Sequence, residues 1–170
     1  MLAIVNVALL AVVTVPLLTA AVAFTAGRRA PRRIGHAGAL VAGLGFLGSA
    51  ALAVRAGSGE VVTAALGPLE LHADRLAAVL LMLVFGVSAI VQAFAVRYLA
   101  GDPRAAWFTG GAGLLTGASA GLMTAVTLVG LALFWTAAGM ALCLLLATYW
   151  HLPAARDGVR RTVIAFVIGD

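Results

Sequence analysis

The position of the positive charges constrains this chain most. All eleven basic residues are arginine, and none lies in the middle of an apolar run. Nine fall in three short clusters: Arg28, Arg29, Arg32 and Arg33; Arg97 and Arg104; and Arg156, Arg160 and Arg161. The apolar stretches before and between them are too long for a soluble core. Such an alternation marks a membrane protein whose arginines report which connections face the cytoplasm.

Composition agrees. The chain is 64% hydrophobic and 10% charged, with mean hydropathy +1.13. A soluble domain is about 45–50% apolar and about 25% charged. The pI near 11.1 does not indicate nucleic acid. The arginines are few, sit at segment ends and lack aromatic interleaving. The single cysteine, Cys143, lies in an apolar segment and cannot form an internal disulfide.

A helix needs about 20 apolar residues to span a bilayer. Residues 2–26 form the first such run. Its positive charges follow it, whereas a signal peptide carries them in front, so it reads as a retained helix with Pro16 as a kink. Further spans are expected at 34–54, 76–99, 105–124 and 128–150. The start of a sixth helix is expected at 159–170. Residues 55–75 are more polar, and the stretches 61–63 and 69–71 around Gly67–Pro68 read as a small surface hairpin. The fold class is therefore all-α and polytopic, as a single membrane domain over 1–170. The three clusters follow spans one, three and five, so they share one side. The other side has Arg55 and Arg75, balanced by Glu60, Glu70 and Asp74. The nine-to-two split places the N-terminus outside and the loop after span five inside. Trp107, Trp150, Tyr98 and Tyr149 fall at span ends, as an interfacial aromatic belt requires.

Gly113, Gly117 and Gly121 recur every four residues in span four. Small residues at this spacing let another helix approach closely; the alternative is a face lining a water path. Spans three to five also hold Ser88, Gln92, Thr109, Thr116, Thr124, Thr127, Thr136 and Thr148. Gln92 is the costliest to expose to lipid and should face protein or water. Serine and threonine can bond back to their own helix, so these groups read either as packing residues or as a hydrated track. The ion-path candidates are Thr136, Ser88, Gln92 and Thr127. No ionisable residue lies at mid-membrane depth, where proton relays need one. His36, His72 and His151 are far apart and show no metal-site spacing. No cofactor is implied, and the residues alone describe a polytopic subunit with no catalytic site.

From Leu71, the run LHADRLAAVLLMLVFGVSAIVQAFAVRYLAGDPRAAWF resembles a segment of the antiporter-like, proton-conducting membrane subunits. That family includes subunit L of NADH-quinone oxidoreductase, the large subunit of Mrp-type antiporters and DabB of bacterial inorganic carbon uptake. The matching features are Asp74 opening a helix, Ser88 within it, Tyr98 near its end, Gly101–Asp102–Pro103 and Phe108. LVGLALFWTAAGMALCLLLATYW resembles the family's fifth helix, and RRTVIAFVIGD its next stretch, ending at Gly169 and Asp170. Respiratory and Mrp members carry Trp-Glu in that helix, and the Glu serves proton transfer. Here Trp135 is followed by Thr136. A hydroxyl cannot hold charge near neutral pH.

The resemblance favours the DabB branch, through Thr136 and the basic Pro153–Ala154–Ala155–Arg156 stretch. Val167 departs from the family's arginine. The resemblance implies an N-terminal portion of a longer subunit that moves protons or cations. Its partners would be the lipid membrane, the remaining helices of the subunit and a soluble zinc protein converting CO2 to bicarbonate, with no nucleic acid. The rival readings are the respiratory branch and a non-transporting scaffold.

Reporter fusions after Pro103 and after Arg156 should both read cytoplasmic. A periplasmic signal at either site would refute the orientation.

Overall fold

The computed structural model describes residues 2–57, 59, 61–66 and 69–169; Asp170 lies outside them. The described residues form six α-helices, two short 3-10 turns and one hairpin. Helix α1 spans Leu2–Ala26 and ends in a 3-10 turn at Gly27–Arg29. Helix α2 spans Pro31–Gly57, three residues longer at each end than the apolar run. Strands β1 (Val62–Leu66) and β2 (Leu69–Ala73) form an antiparallel pair. Helix α3 covers Arg75–Tyr98, α4 Ala105–Thr124, α5 Leu128–Leu146 and α6 Pro153–Gly169.

The helices start and stop for identifiable reasons. Asp74 caps α3 by accepting from the Ala77 amide at 2.7 Å. Thr127 caps α5 by accepting from Gly130 N at 3.1 Å. Pro153 occupies the first position of α6, where its missing N–H costs nothing. Helix α6 therefore begins six residues before the expected start at 159. The stretch 153–158 with Arg156, expected to lie in the connection before that helix, is helical.

Four helices are long and apolar enough to cross a membrane: Asn6–Ala26, Pro31–Gly57, Arg75–Tyr98 and α5 extended to Tyr149. Their mean hydropathies run from 1.9 to 2.5. The chain is an all-α polytopic membrane protein, and the outward faces of these helices are what lipid covers. Helix α4 falls outside that group. Twelve of its 20 residues are buried, against five of 24 in α3. Its neighbours are helices, so it needs little apolar bulk of its own.

What α4 needs is smallness. A side chain at Gly113 would meet the Pro16 carbonyl oxygen of α1 at 3.2 Å. One at Gly117 would meet Leu17 Cδ2 at 2.7 Å and the Leu17 backbone nitrogen at 3.2 Å. Gly121 faces the Phe134 ring of α5. The stripe changes partner because residues four apart advance about 400° around the helix, drifting about 40° per step. Its upper part meets α1 and its lower end meets α5.

The hairpin differs from the small surface element expected. Val62, Leu71 and Ala73 are buried, while Thr63, Glu70 and His72 face outward. Alternation of this kind is what a strand pair with one packed face shows. Leu71 bridges to Ala125, and Glu70 O accepts from Val126 N at 3.1 Å. The hairpin thus closes one end of the bundle, over a core of Leu9, Val13, Leu52, Leu81, Phe85 and Phe134.

Replacing Gly117 with leucine should separate α1 from α4, because the obstruction includes backbone. We expect the purified Gly117→Leu protein to lose monodispersity in detergent. A wild-type elution profile would show that the contact is dispensable.

Candidate functional site

The polar residues of α3 and α4 meet in the interior. Gln92 is 4% exposed and Thr116 is 5% exposed. Thr116 Oγ1 donates to the Ala112 carbonyl at 2.7 Å, within its own helix. That uses its single proton. Its 2.7 Å contact with Ser88 Oγ is then donated by Ser88. Ser88 in turn accepts from Gln92 Nε2 at 2.9 Å. The order is fixed from Gln92 through Ser88 and Thr116 to a backbone carbonyl.

One atom of this ladder is unsatisfied. Gln92 Oε1 is buried without a hydrogen-bond partner among the described residues. It faces Gly38 of α2, and the Thr109 methyl comes to 2.6 Å of where a Gly38 side chain would begin. Rotating the amide would orphan its nitrogen instead, since Gly38 offers neither donor nor acceptor from a side chain. Gln92 therefore faces protein, as the cost of exposing it to lipid requires.

The other ion-path candidates lie elsewhere. Thr127 is the α5 cap at the hairpin end. Thr136 is exposed and donates to Ala132 O at 2.8 Å. It borders an apolar cavity of about 490 Å3 between α5 and α6, with Gly139, Cys143, Val163 and Phe166. The structure brings Ser88 and Gln92 together with Thr116 but leaves Thr136 and Thr127 apart from them. The remaining hydroxyls behave as the packing alternative describes: Thr14, Ser49, Thr109, Thr124 and Thr148 each bond a carbonyl one turn back.

Among the residues matching the family pattern, Asp74 is the α3 cap and Tyr98 is exposed, stacked on Phe94 at 5.6 Å. Trp135 packs against Phe166 of α6 with ring centres 5.9 Å apart, and Gly169 is the last residue of α6.

The arginine-bearing connections converge at the end opposite the hairpin. Gly101, with φ at +92°, turns the chain between α3 and α4. Asp102 follows and accepts from the Arg104 amide at 2.7 Å and from the Tyr149 hydroxyl at 2.9 Å. Arg104 lies over the Tyr149 ring, 5.2 Å from its centre. The backbone bond from Arg104, then the Tyr149 hydroxyl, hold the Asp102 carboxyl below its ordinary pKa. A depressed carboxyl stabilises above its unfolded pKa and loses that contribution as pH falls through the lowered value. The clamp is thus intact near neutral pH. Sequence reading noted Asp102 and Tyr149 separately and missed the pairing. A carboxylate in an Asp-Pro turn and a tyrosine at another span end were the available signals.

What these elements define is a membrane bundle with an uncharged polar ladder at its centre and a basic rim. Residues 67–109, which run through β2, α3 and the Asp102 turn into α4, match the family described as NADH-ubiquinone oxidoreductase (complex I), chain 5 N-terminus. The chain is 28% identical over 100 residues to NADH-quinone oxidoreductase subunit L of Mycobacterium tuberculosis, covering 59% of this chain and 16% of that protein. It is 30% identical over 97 residues to the chloroplastic NAD(P)H-quinone oxidoreductase subunit 5 of Chlorokybus atmophyticus, covering 57% and 15%. Against NAD(P)H-quinone oxidoreductase chain 5 of Synechocystis, identity is 29% over 97 residues, covering 57% and 14%. The chain therefore spans about a sixth of the length of these relatives, and its similarity is to the N-terminal region of an antiporter-like subunit.

Ser88 receives one hydrogen bond and gives another, so its loss strands two groups. Ser88→Ala should cost about 1–2 kcal/mol, within the range for orphaned buried polar groups. Gln92→Leu, which removes the orphan along with the bond, should cost less. Reversible unfolding in mixed detergent would rank them, and the opposite order would disprove the ladder.

Proposed function

We propose that this chain is the N-terminal helical part of an antiporter-like, proton-translocating subunit of a quinone oxidoreductase complex in a bacterial plasma membrane. The observation that carries this reading is the match over 67–109, because it covers one continuous structural unit. That unit includes the hairpin's second strand, the capped α3, two of the three ladder residues and the Asp102 turn. In this reading α4 crosses as a fifth span; its 20 residues and its place inside the bundle support that. The N-terminus lies outside and the arginine-rich end inside.

The ladder's part is positional. It holds α3 against α4 and supplies polar surface in an interior where charge is expensive. Proton exchange would fall to ionisable groups on helices packed against this unit. The Mycobacterium, Chlorokybus and Synechocystis proteins are several times longer, which supplies room for them.

A second reading rests on Thr136. A hydroxyl in the place of the respiratory glutamate favours the inorganic carbon branch, in which a soluble zinc protein is the partner. All the relatives named above are quinone oxidoreductase subunits, so this branch stands on that residue and the Pro153–Arg156 stretch.

Purification of the tagged chain from its native membranes in mild detergent separates the readings. We expect subunits of a quinone oxidoreductase to copurify, with NADH-quinone reductase activity in the eluate. A soluble zinc protein in their place would favour the carbon branch. Recovery of the chain with neither would refute both.

A further inference from the structure

At the basic end a cavity of about 620 Å3 opens between the α1–α2 connection and the α3–α4 turn. Small-molecule sites occupy about 300–1,000 Å3. Arg29, Arg32 and Arg33 line one part of it. Gly35, Ala95, Val96 and Leu99 line another and are apolar. We propose that this cavity binds the headgroup of an anionic phospholipid, with the phosphate among the three arginines and the glycerol region against the apolar wall.

Four features support this. First, the three arginines are exposed, and among the described residues no carboxylate lies within ion-pair distance of them. An arginine fork matches two phosphate oxygens at once. Second, Asp102, which also borders the cavity, is already engaged: one oxygen accepts from Arg104 N and the other from Tyr149. It neutralises none of the three, and its charge keeps the phosphate on their side. Third, Thr109 at the cavity wall gives its proton to Ala105 O, so the phosphate's donors are the arginines and the start of α2. Residue 31 is proline and the Arg32 and Arg33 amides precede the first α-helical bond from Ile34, so the helix presents uncommitted N–H groups there.

The fourth feature decides the source of the anion. The cavity lies where the apolar helices end, and α3 beside it exposes Phe94 (67%) and Tyr98 (74%) as a stacked pair. A ligand seated here has its charged end at the basic rim and its remainder beside surfaces that lipid chains cover. That amphipathic layout fits a phospholipid. A free anion would use only the upper part. Basic recesses between helices on the cytoplasmic side are known as lipid headgroup sites in general. Three arginines against one engaged carboxylate select a headgroup of net negative charge over a zwitterionic one.

The test uses the full chain in nanodiscs of phosphatidylcholine, titrated with phosphatidylglycerol and read as lipid retained per protein by native mass spectrometry. One phosphatidylglycerol per chain should resist exchange in the wild type. Arg32→Gln/Arg33→Gln should weaken its retention by about tenfold, the equivalent of 1.4 kcal/mol. Arg160→Gln/Arg161→Gln, with the same charge change outside the cavity, should not. Ala100→Trp, which fills the cavity from an exposed loop without altering charge, should also abolish retention. Equal loss in both arginine pairs would reduce the effect to surface charge and overturn the site. Displacement by glycerol phosphate as readily as by the lipid would also overturn the proposal, making the site one for a soluble anion.

Discussion

The close approach of α4 to α1 places the most buried helix at the centre of the bundle. Lipid tails are as apolar as leucine, so apolarity alone gives two helices no reason to prefer each other within a bilayer. Shape provides the reason. At Gly113 and Gly117 the α4 backbone comes so close to α1 that even one added carbon would lie 3.2 Å from the Pro16 carbonyl oxygen or the Leu17 nitrogen, tighter than ordinary contact. Close backbones gain dispersion contacts along their length. With α1 fixed on one side and the Phe134 ring lodged at Gly121 on the other, α4 becomes the axis. Helices α2 and α3 then pack as a second pair, with the Phe85 ring lying over Gly45. The ladder from Gln92 to Thr116 joins the two pairs.

This arrangement explains why α4 is the most buried helix without being among the most apolar. The helices that meet lipid must be apolar on their outer faces. Helix α4 meets other helices instead, so it can carry glycine, alanine and threonine in place of leucine. Threonine is tolerated because each hydroxyl returns its proton to a carbonyl one turn back, as Thr109, Thr116 and Thr124 do. Helix α4, which falls outside the four strongly apolar helices, is the most protected of the bundle.

The same logic marks what the residues alone could disclose. The ends of α1, α3 and α4 follow from where apolar runs meet arginine or a turn, and those boundaries agree within a residue. The glycine period in α4 pointed to close packing, but periodicity could not say that Gly121 would find a different partner from Gly117. The cost of placing Gln92 in lipid calls for a protein or water neighbour. That its neighbours are Ser88 and Thr116 depends on α3 lying beside α4, which no local signal encodes. Thr136 and Thr127 had equal standing as hydroxyls in sequence. One became a cap through the turn before it, and the other faces outward. The hairpin's buried face escaped notice because strands this short give too few alternations to separate an inner side from an outer one. The early start of α6 was signalled by Pro153, whose ring favours the first helical position.

The direction of the ladder limits what it can do by itself. Its protons run from an amide, through two hydroxyls, to the Ala112 carbonyl, which has none to pass on. For a proton to travel along it, Thr116 would have to release Ala112 and turn its hydroxyl toward a new acceptor. Gln92 at the other end holds its amide protons and carries no charge to exchange. A chain with such ends is a polarised support: it orients dipoles, lowers the cost of nearby charge and locks two helices in register. Among the described residues, Gln92 Oε1 is the buried acceptor left without a partner, and it faces α2 at Gly38. Carrying a proton through this bundle thus requires an ionisable group brought against it from another helix. The polar interior of α3 and α4 is therefore a support that joins two helices, and by itself no path for charge.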